Sequence, residues 1–253
     1  MGLRIMVKKL VERITDTHIY RVLPRGIDFV QDIAISLPTY RVDIIFDIGA
    51  NVGQSSKLFL TSFPSSHIYC FELVSDTFRQ LQDNLEGNER VDCYQLAFGS
   101  YQGTARMVLQ GSSDMFFVSG QSKEAPNNDV PTEAVDMVTL DDFCHTKRID
   151  CISYLKIDTE GGDLDVLRGA VSMLTEQRID LAQLETGMNR TNRRHMSLES
   201  LKAFLESHGY FLFGIYEQVN EWPTSEPHLR RANSIFISQR LIERHKMSAR
   251  CSA

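Results

Sequence analysis

Short apolar runs and helix-spaced apolar positions alternate along most of the chain. Ile44, Ile45 and Phe46 form an uninterrupted run, the pattern of a strand buried on both faces of a parallel sheet. Val52, Leu58, Phe59 and Leu60 follow at helical spacing, and His67 to Phe71 returns to a strand pattern. A helix with Phe78, Leu81 and Leu85 inward is ended by Asn84, Gly87 and Asn88. Further strands are predicted over 91–97, 151–157 and 179–184. Leu164, Val166, Leu167 and Ala170 mark one later helix, and Ser197 opens another that Gly209 stops. Residues 103–109 and 132–140 alternate as a strand pair, and 210–215 with 234–238 make a last one. The whole predicts one α/β domain over residues 41–240.

Outside that domain the pattern changes. Leu3, Met6, Val7, Leu10, Val11 and Ile14 recur at helical spacing with Lys and Arg on the other face, and an apolar patch over 27–37 ends at Pro38. Residues 1–40 are therefore read as an N-terminal helical extension. A basic amphipathic helix can lie on a membrane surface; this one is read instead as packed on the domain's flank or over a substrate cleft. The charged stretch 241–253 is read as a disordered, frayed tail.

Composition narrows the picture. At 253 residues there is room for one large domain with a small appendage. A formal net charge of −6 argues against a nucleic-acid surface as the main business. Cys70, Cys93, Cys144, Cys151 and Cys251 show no metal-ligand spacing and read as reduced thiols in a cytoplasmic protein. No apolar stretch has the length of a membrane span. Met6 stands where a myristoylation signal wants Ser or Thr. The long loop 111–131 places Met115, Phe116 and Phe117 among polar residues, the composition of a lid or, alternatively, of a floppy insertion.

The chemistry concentrates at strand ends. Asp43 to Gln54 reads strand, glycine turn, helix, with Gly49 and Gly53 framing the turn. A dinucleotide fingerprint needs Gly-x-Gly-x-x-Gly, whereas here Asp47 precedes the turn and Asn51 fills the middle position. That resembles the first motif of S-adenosylmethionine methyltransferases, and the acid suits the cationic amino-acid end of that cofactor. Glu72 ends the next strand where Rossmann-type sites place a ribose-binding carboxylate. On the fourth strand Lys156 and Asp158 share a face, with Glu160 just beyond. They are either acid/base groups or, alternatively, a buried ion pair and a helix cap.

Taken in order, Asp-Ile-Gly-Ala-Asn-Val-Gly (47–53), Phe-Glu (71–72), Thr-Leu-Asp (139–141), Leu-Lys-Ile-Asp-Thr-Glu-Gly (155–161) and Asn-Ser-Ile-Phe (233–236) resemble the FkbM-type methyltransferases. Leu73 and Asp163 depart from the usual Pro and Glu of that pattern. The resemblance implies a Rossmann-like seven-stranded sheet, last strand antiparallel, with helices on both faces. It also implies methyl transfer from S-adenosylmethionine to a hydroxyl of a small molecule, such as a sugar or natural product. Cofactor binding then falls to Asp47, Gly49, Ala50, Asn51, Gly53 and Gln54, with Glu72 on the ribose and Leu73 and Ala97 near adenine. Asp158, Glu160 and Lys156 are the catalytic candidates. Glu185, Arg193, Arg194, His195 and Trp222 are the acceptor-binding candidates. Asp158, Glu160 and Glu185 could ligate a hard cation, but no spacing forces it, and neither metal, nucleic acid nor membrane is expected as a partner. Two other readings are an NAD-dependent enzyme, which the residue at Asn51 contradicts, and a non-catalytic binding module, against which the four acids speak.

Overall fold

The computed structural model describes residues 3–20, 22–108, 132–192 and 194–251. In chain order its strands are β1 (Ile44–Ile48), β2 (His67–Phe71), β3 (Val91–Tyr94), β4 (Ala97–Phe98), β5 (Gly103–Val108), β6 (Thr132–Val138), β7 (Ile152–Ile157), β8 (Ile179–Gly187), β9 (Tyr210–Asn220) and β10 (Leu229–Ser238). The helices are α1 (Leu3–Thr15), α2 (Phe29–Ser36), α3 (Gln54–Ser62), α4 (Ser75–Leu85), α5 (Leu140–Lys147), α6 (Asp163–Arg168), α7 (Val171–Thr175), α8 (Leu198–Ser207) and α9 (Gln239–Cys251).

The main sheet has seven strands in the order β3-β2-β1-β7-β8-β10-β9, and β10 runs antiparallel to both its neighbours. This is the Rossmann-like sheet with a reversed last strand that the motifs imply. Its central strands are apolar on both faces because both are covered. Phe46, Phe71, Leu155 and Ile157 pack with Phe143, Leu167 and Leu201 from the helices of one face. Ile45, Ile68, Tyr154 and Leu181 pack with Phe29, Phe59, Leu81 and Leu241 on the other.

The predicted third strand divides. Pairing with β2 ends at Tyr94, and Ala97–Phe98 turn to pair with β6, which also pairs with β5 in a separate three-stranded sheet. The loop 111–131, read as a lid, lies outside the described residues.

Two terminal expectations are corrected. The stretch from residue 241, expected to fray, is helical through Cys251 within α9. Its order is tertiary: Leu241 is buried in the core, and Arg244 pairs with the buried Asp180 at 2.7 Å. In the N-terminal extension α2 packs as expected, with Asp28 capping it and Phe29 in the core. By contrast, the apolar side of α1 is exposed, Leu10 at 59% and Ile14 at 73%, so α1 is not packed on the domain's flank.

Gly49 sets the approach of β1 to β7. Its φ is +77°, and a Cβ there would lie 1.9 Å from the carbonyl oxygen of Asp158. Gly49→Ala is therefore expected to cost more than about 2 kcal/mol in urea denaturation. Gly87→Ala provides the control: φ is +74° with nothing within 4 Å of the new atom, so only the left-handed strain of roughly 1–2 kcal/mol applies.

Candidate active site

The carboxyl ends of β1, β2 and β7 surround a cavity of about 350 Å³. Its turn is tied down by backbone bonds, since the N–H groups of Gly49 and Ala50 both donate to the Phe71 carbonyl. Asn51 follows with φ +51°, a conformation that asparagine tolerates better than most residues, and its N–H donates to Glu72 Oε2 at 3.0 Å. Glu72 Oε1 accepts the N–H groups of Leu73 and Val74, each at 2.9 Å. Burial pushes the Glu72 carboxyl up, and the three N–H donors partly offset that. Oε1 is filled by two donors, while Oε2, with one, retains a lone pair for a ribose hydroxyl. Phe71, Leu96, Phe98 and Met137 supply an apolar wall beside Ala97. An apolar slot with a buried acid at its edge fits an adenosine half, so the residues present fit S-adenosylmethionine.

Below this cavity Lys156 is buried between two aspartates. Its Nζ lies 3.1 Å from Asp47 Oδ1 and 3.3 Å from Asp158 Oδ2, and Ser56 donates to Asp47 Oδ2 at 2.6 Å. Burial works against the ammonium, but Asp47 and Asp158 outweigh it and hold Lys156 above the usual lysine range. A lysine so held stays protonated and cannot act as a base, which corrects its proposed acid/base role. Asp47 is also corrected: it is fully buried beneath the site, its oxygens engaged by Lys156 and Ser56 rather than facing the cofactor's amino-acid end.

A second cavity, of about 230 Å³, opens on the other side of Asp158 and Glu160, which line both. Its polar wall includes Lys156, Gln183, Glu185, Glu217, Arg231 and Asn233. Glu160 has φ +53° and is ion-paired to Arg194. Glu185 pairs with Arg231 and lies 2.7 Å from His195 Nε2. Burial opposes the Glu185 carboxylate, but the hydrogen bond and charge of His195, with Arg231, hold it below the usual range.

Glu160, Glu185 and His195 present ligand atoms within 4.8 Å of one another. Their donors are already engaged. Asn192 Oδ1 accepts the N–H groups of Arg194 and His195, which turns its amide nitrogen toward His195 Nδ1 at 2.9 Å. The Oδ1–Nδ1 approach is longer, 3.2 Å, and that oxygen is already shared. His195 Nε2 meets Glu185 at 2.7 Å, so a metal would have to displace that contact.

The remaining predicted residues divide. Gly49, Asn51, Glu72, Leu73 and Ala97 line the first cavity, as do Arg194 and His195. Ala50, Gly53 and the exposed Gln54 lie outside its wall and shape the turn instead. Trp222 lines neither cavity and is 70% exposed at the tip of the β9–β10 hairpin. Arg193 lies outside the described residues. The sequence reading missed Gln183, Arg231 and Asn233. Strand alternation gave a signal for each: Gln183 shares a face with Glu185, and Arg231 with the motif residue Asn233.

Asp163 holds the turn that presents these acids. Its Oδ1 accepts from the N–H of Thr159 at 3.1 Å and from its hydroxyl at 2.9 Å, while Oδ2 has no partner among the described residues. Burial pushes its carboxyl up to about 7, against the Thr159 bonds and with help from Asp158 and Glu185. The folded chain therefore keeps a proton that the unfolded chain releases, and the associated stability, full near pH 4, is lost as pH rises to about 7. Asp163→Asn removes this dependence. In urea titrations the variant should gain on the native chain between pH 5 and 8 by at most about 4 kcal/mol. An unchanged difference would show that Asp163 ionises normally. Glu72→Ala should weaken S-adenosylmethionine binding by roughly 2–3 kcal/mol in calorimetry, since it strips a charged acceptor from its donors.

The 2-O-methyltransferase NoeI of Sinorhizobium fredii is 24% identical over 147 residues, covering 53% of this chain and 60% of that protein. The hexuronic acid methyltransferase AglP of Haloferax volcanii is 21% identical over 150 residues, covering 58% of each. The chain thus spans under two thirds of the length of these relatives. Among solved structures, TrmK of M. capricolum with S-adenosyl-homocysteine is 12% identical, with a TM-score of 0.47, over 87% of this chain and 70% of that one. Residues 47–212, which hold the glycine turn, Glu72 and the β7 carboxylates, match the methyltransferase FkbM domain, and the chain belongs to that family.

Proposed function

We propose that the chain transfers a methyl group from S-adenosylmethionine to a hydroxyl of a small polyhydroxylated molecule, a sugar or sugar-bearing metabolite. One observation carries this reading: Asp158 and Glu160 form a wall common to the slot that fits the cofactor and to the polar cavity beside it. The cofactor supplies an already activated methyl group on a sulfonium. The chain's own work is to align the acceptor with it and to receive the hydroxyl proton. Lys156 stays charged, so the proton falls to Asp158 or Glu160, both about one third exposed. Lys156 pairs with Asp158 at 3.3 Å and Arg194 pairs with Glu160.

The second cavity supports a sugar. Amide, carboxylate and cationic groups together line it, the donors and acceptors that sugar hydroxyls engage. Four carboxylates face it against two cations, a balance that favours a neutral polyol over an acidic one. The relatives NoeI, a 2-O-methyltransferase, and AglP, a hexuronic acid methyltransferase, support a small hydroxylated acceptor. The net charge of −6 speaks for an acceptor other than nucleic acid. Free thiols at Cys70, Cys93, Cys144 and Cys151 support a cytoplasmic setting.

A panel of sugars and glycosylated metabolites, incubated with S-adenosylmethionine and read by mass gain, tests the reading. On the acceptor found, Asp158→Asn and Glu160→Gln should lower kcat, the true base by about 10²–10⁴-fold. If both variants turn over at the native rate, neither carboxylate is the base. A change confined to cofactor affinity would assign them to cofactor binding instead.

A further inference from the structure

The feature that methyl transfer leaves unused is α1. Met6, Val7, Leu10, Val11 and Ile14 recur one and three to four residues apart, which places them on one stripe of the helix, and all are exposed. Lys8, Lys9 and Arg13 occupy the other side with Glu12. The segment that follows folds back along the helix. Glu12 Oε1 accepts the N–H of Ile19 at 2.8 Å, and Lys8 Nζ sits over the Tyr20 ring at 5.6 Å from its centre. Ile19 and Tyr20 are exposed as well, and so extend the apolar surface.

We propose that α1 and this return segment form a docking surface for an anionic lipid bilayer. Charge complementarity selects that occupant. The helix sequence carries four basic residues against one acid, whereas the whole chain is acidic at −6. A basic amphipathic helix lies in the bilayer interface with its apolar stripe buried and its cations near the headgroups. A second copy fits less well. Thirteen residues make a helix of about 20 Å, whose stripe, about 10 Å wide, buries on the order of 400 Å² in a pair, well short of the roughly 1,200 Å² of a stable interface. Stripe-to-stripe pairing would also bring Lys9 and Arg13 toward their own copies. No helix among the described residues is long and apolar enough to cross a membrane, so the contact is peripheral. This revises the expectation that the chain has no membrane partner.

The test is flotation of the full chain with vesicles of phosphatidylcholine alone and of an equimolar mixture with phosphatidylserine. The chain should float with the anionic vesicles and fall off as salt rises. Lys9→Glu and Arg13→Glu should each lower partitioning about fivefold or more. The pair Leu10→Glu with Ile14→Glu should abolish it while leaving S-adenosylmethionine affinity unchanged, which shows that the domain still folds. Absence of flotation with anionic vesicles at low salt overturns the proposal, as does flotation that the Leu10→Glu, Ile14→Glu pair does not alter. A dimer seen by light scattering and lost in that pair, without vesicle binding, gives the stripe to a second copy and overturns it too.

Discussion

The site depends on one buried ammonium. Lys156 stands on β7 directly opposite Asp47 on β1, and its Nζ is shared between Asp47 and Asp158. Taking the Lys156 ammonium and the Asp47 carboxylate out of water is costly, and such a group is a weak source of stability by itself. Its effect is on placement. Asp47 closes the strand that opens the cofactor turn, and Asp158 opens the turn that presents Glu160, so a single cation fixes the two turns relative to each other. The same closeness leaves no room for a side chain at Gly49. Removing the ammonium would leave the buried Asp47 carboxylate facing that of the part-exposed Asp158, which is why the bridge constrains both turns at once.

The turn after β7 holds further strain. Glu160 at φ +53° and Gly161 at φ +107° follow in sequence, and a Cβ on Gly161 would lie 2.7 Å from the Arg194 carbonyl. Backbone in this region persists only where its surroundings over-determine it. Here Asp163 holds Thr159 from below, and Arg194 and His195 meet the Glu160 carboxylate from above. The loop after β8 thus does more than cover the site. It sets the orientation of an acid carried by a neighbouring strand.

The strand ends were legible because each is announced locally. Apolar runs closing on Asp47, Glu72 and Asp158 say where the carboxyl edge lies, and open α/β sheets bind ligands at that edge. What each acid touches was not legible, since it depends on register between distant strands. Nothing near Asp47 in sequence indicates that Lys156 will face it, and nothing near Glu185 indicates Asn233 opposite. The same limit explains α9, whose charged sequence reads as frayed until Asp180 is seen to hold Arg244. Trp222 failed for a different reason. β9 and β10 run about five residues beyond the predicted pair, which leaves Trp222 at the hairpin tip and outside both cavities.

Charge balance links the two cavities. Here the acids outnumber the cations: Asp158 and Glu160 with Asp47, Glu185 and Glu217 stand against Lys156, Arg194 and Arg231. S-adenosylmethionine brings a sulfonium to this region, and its product does not, so an acidic surround binds the reactant in preference to the product. The same excess would oppose a negatively charged acceptor, unless Arg231 or Arg194 left its present carboxylate. A neutral hydroxylated acceptor asks for no such rearrangement. On the proposed function, one electrostatic arrangement would favour cofactor entry, product release and a neutral acceptor.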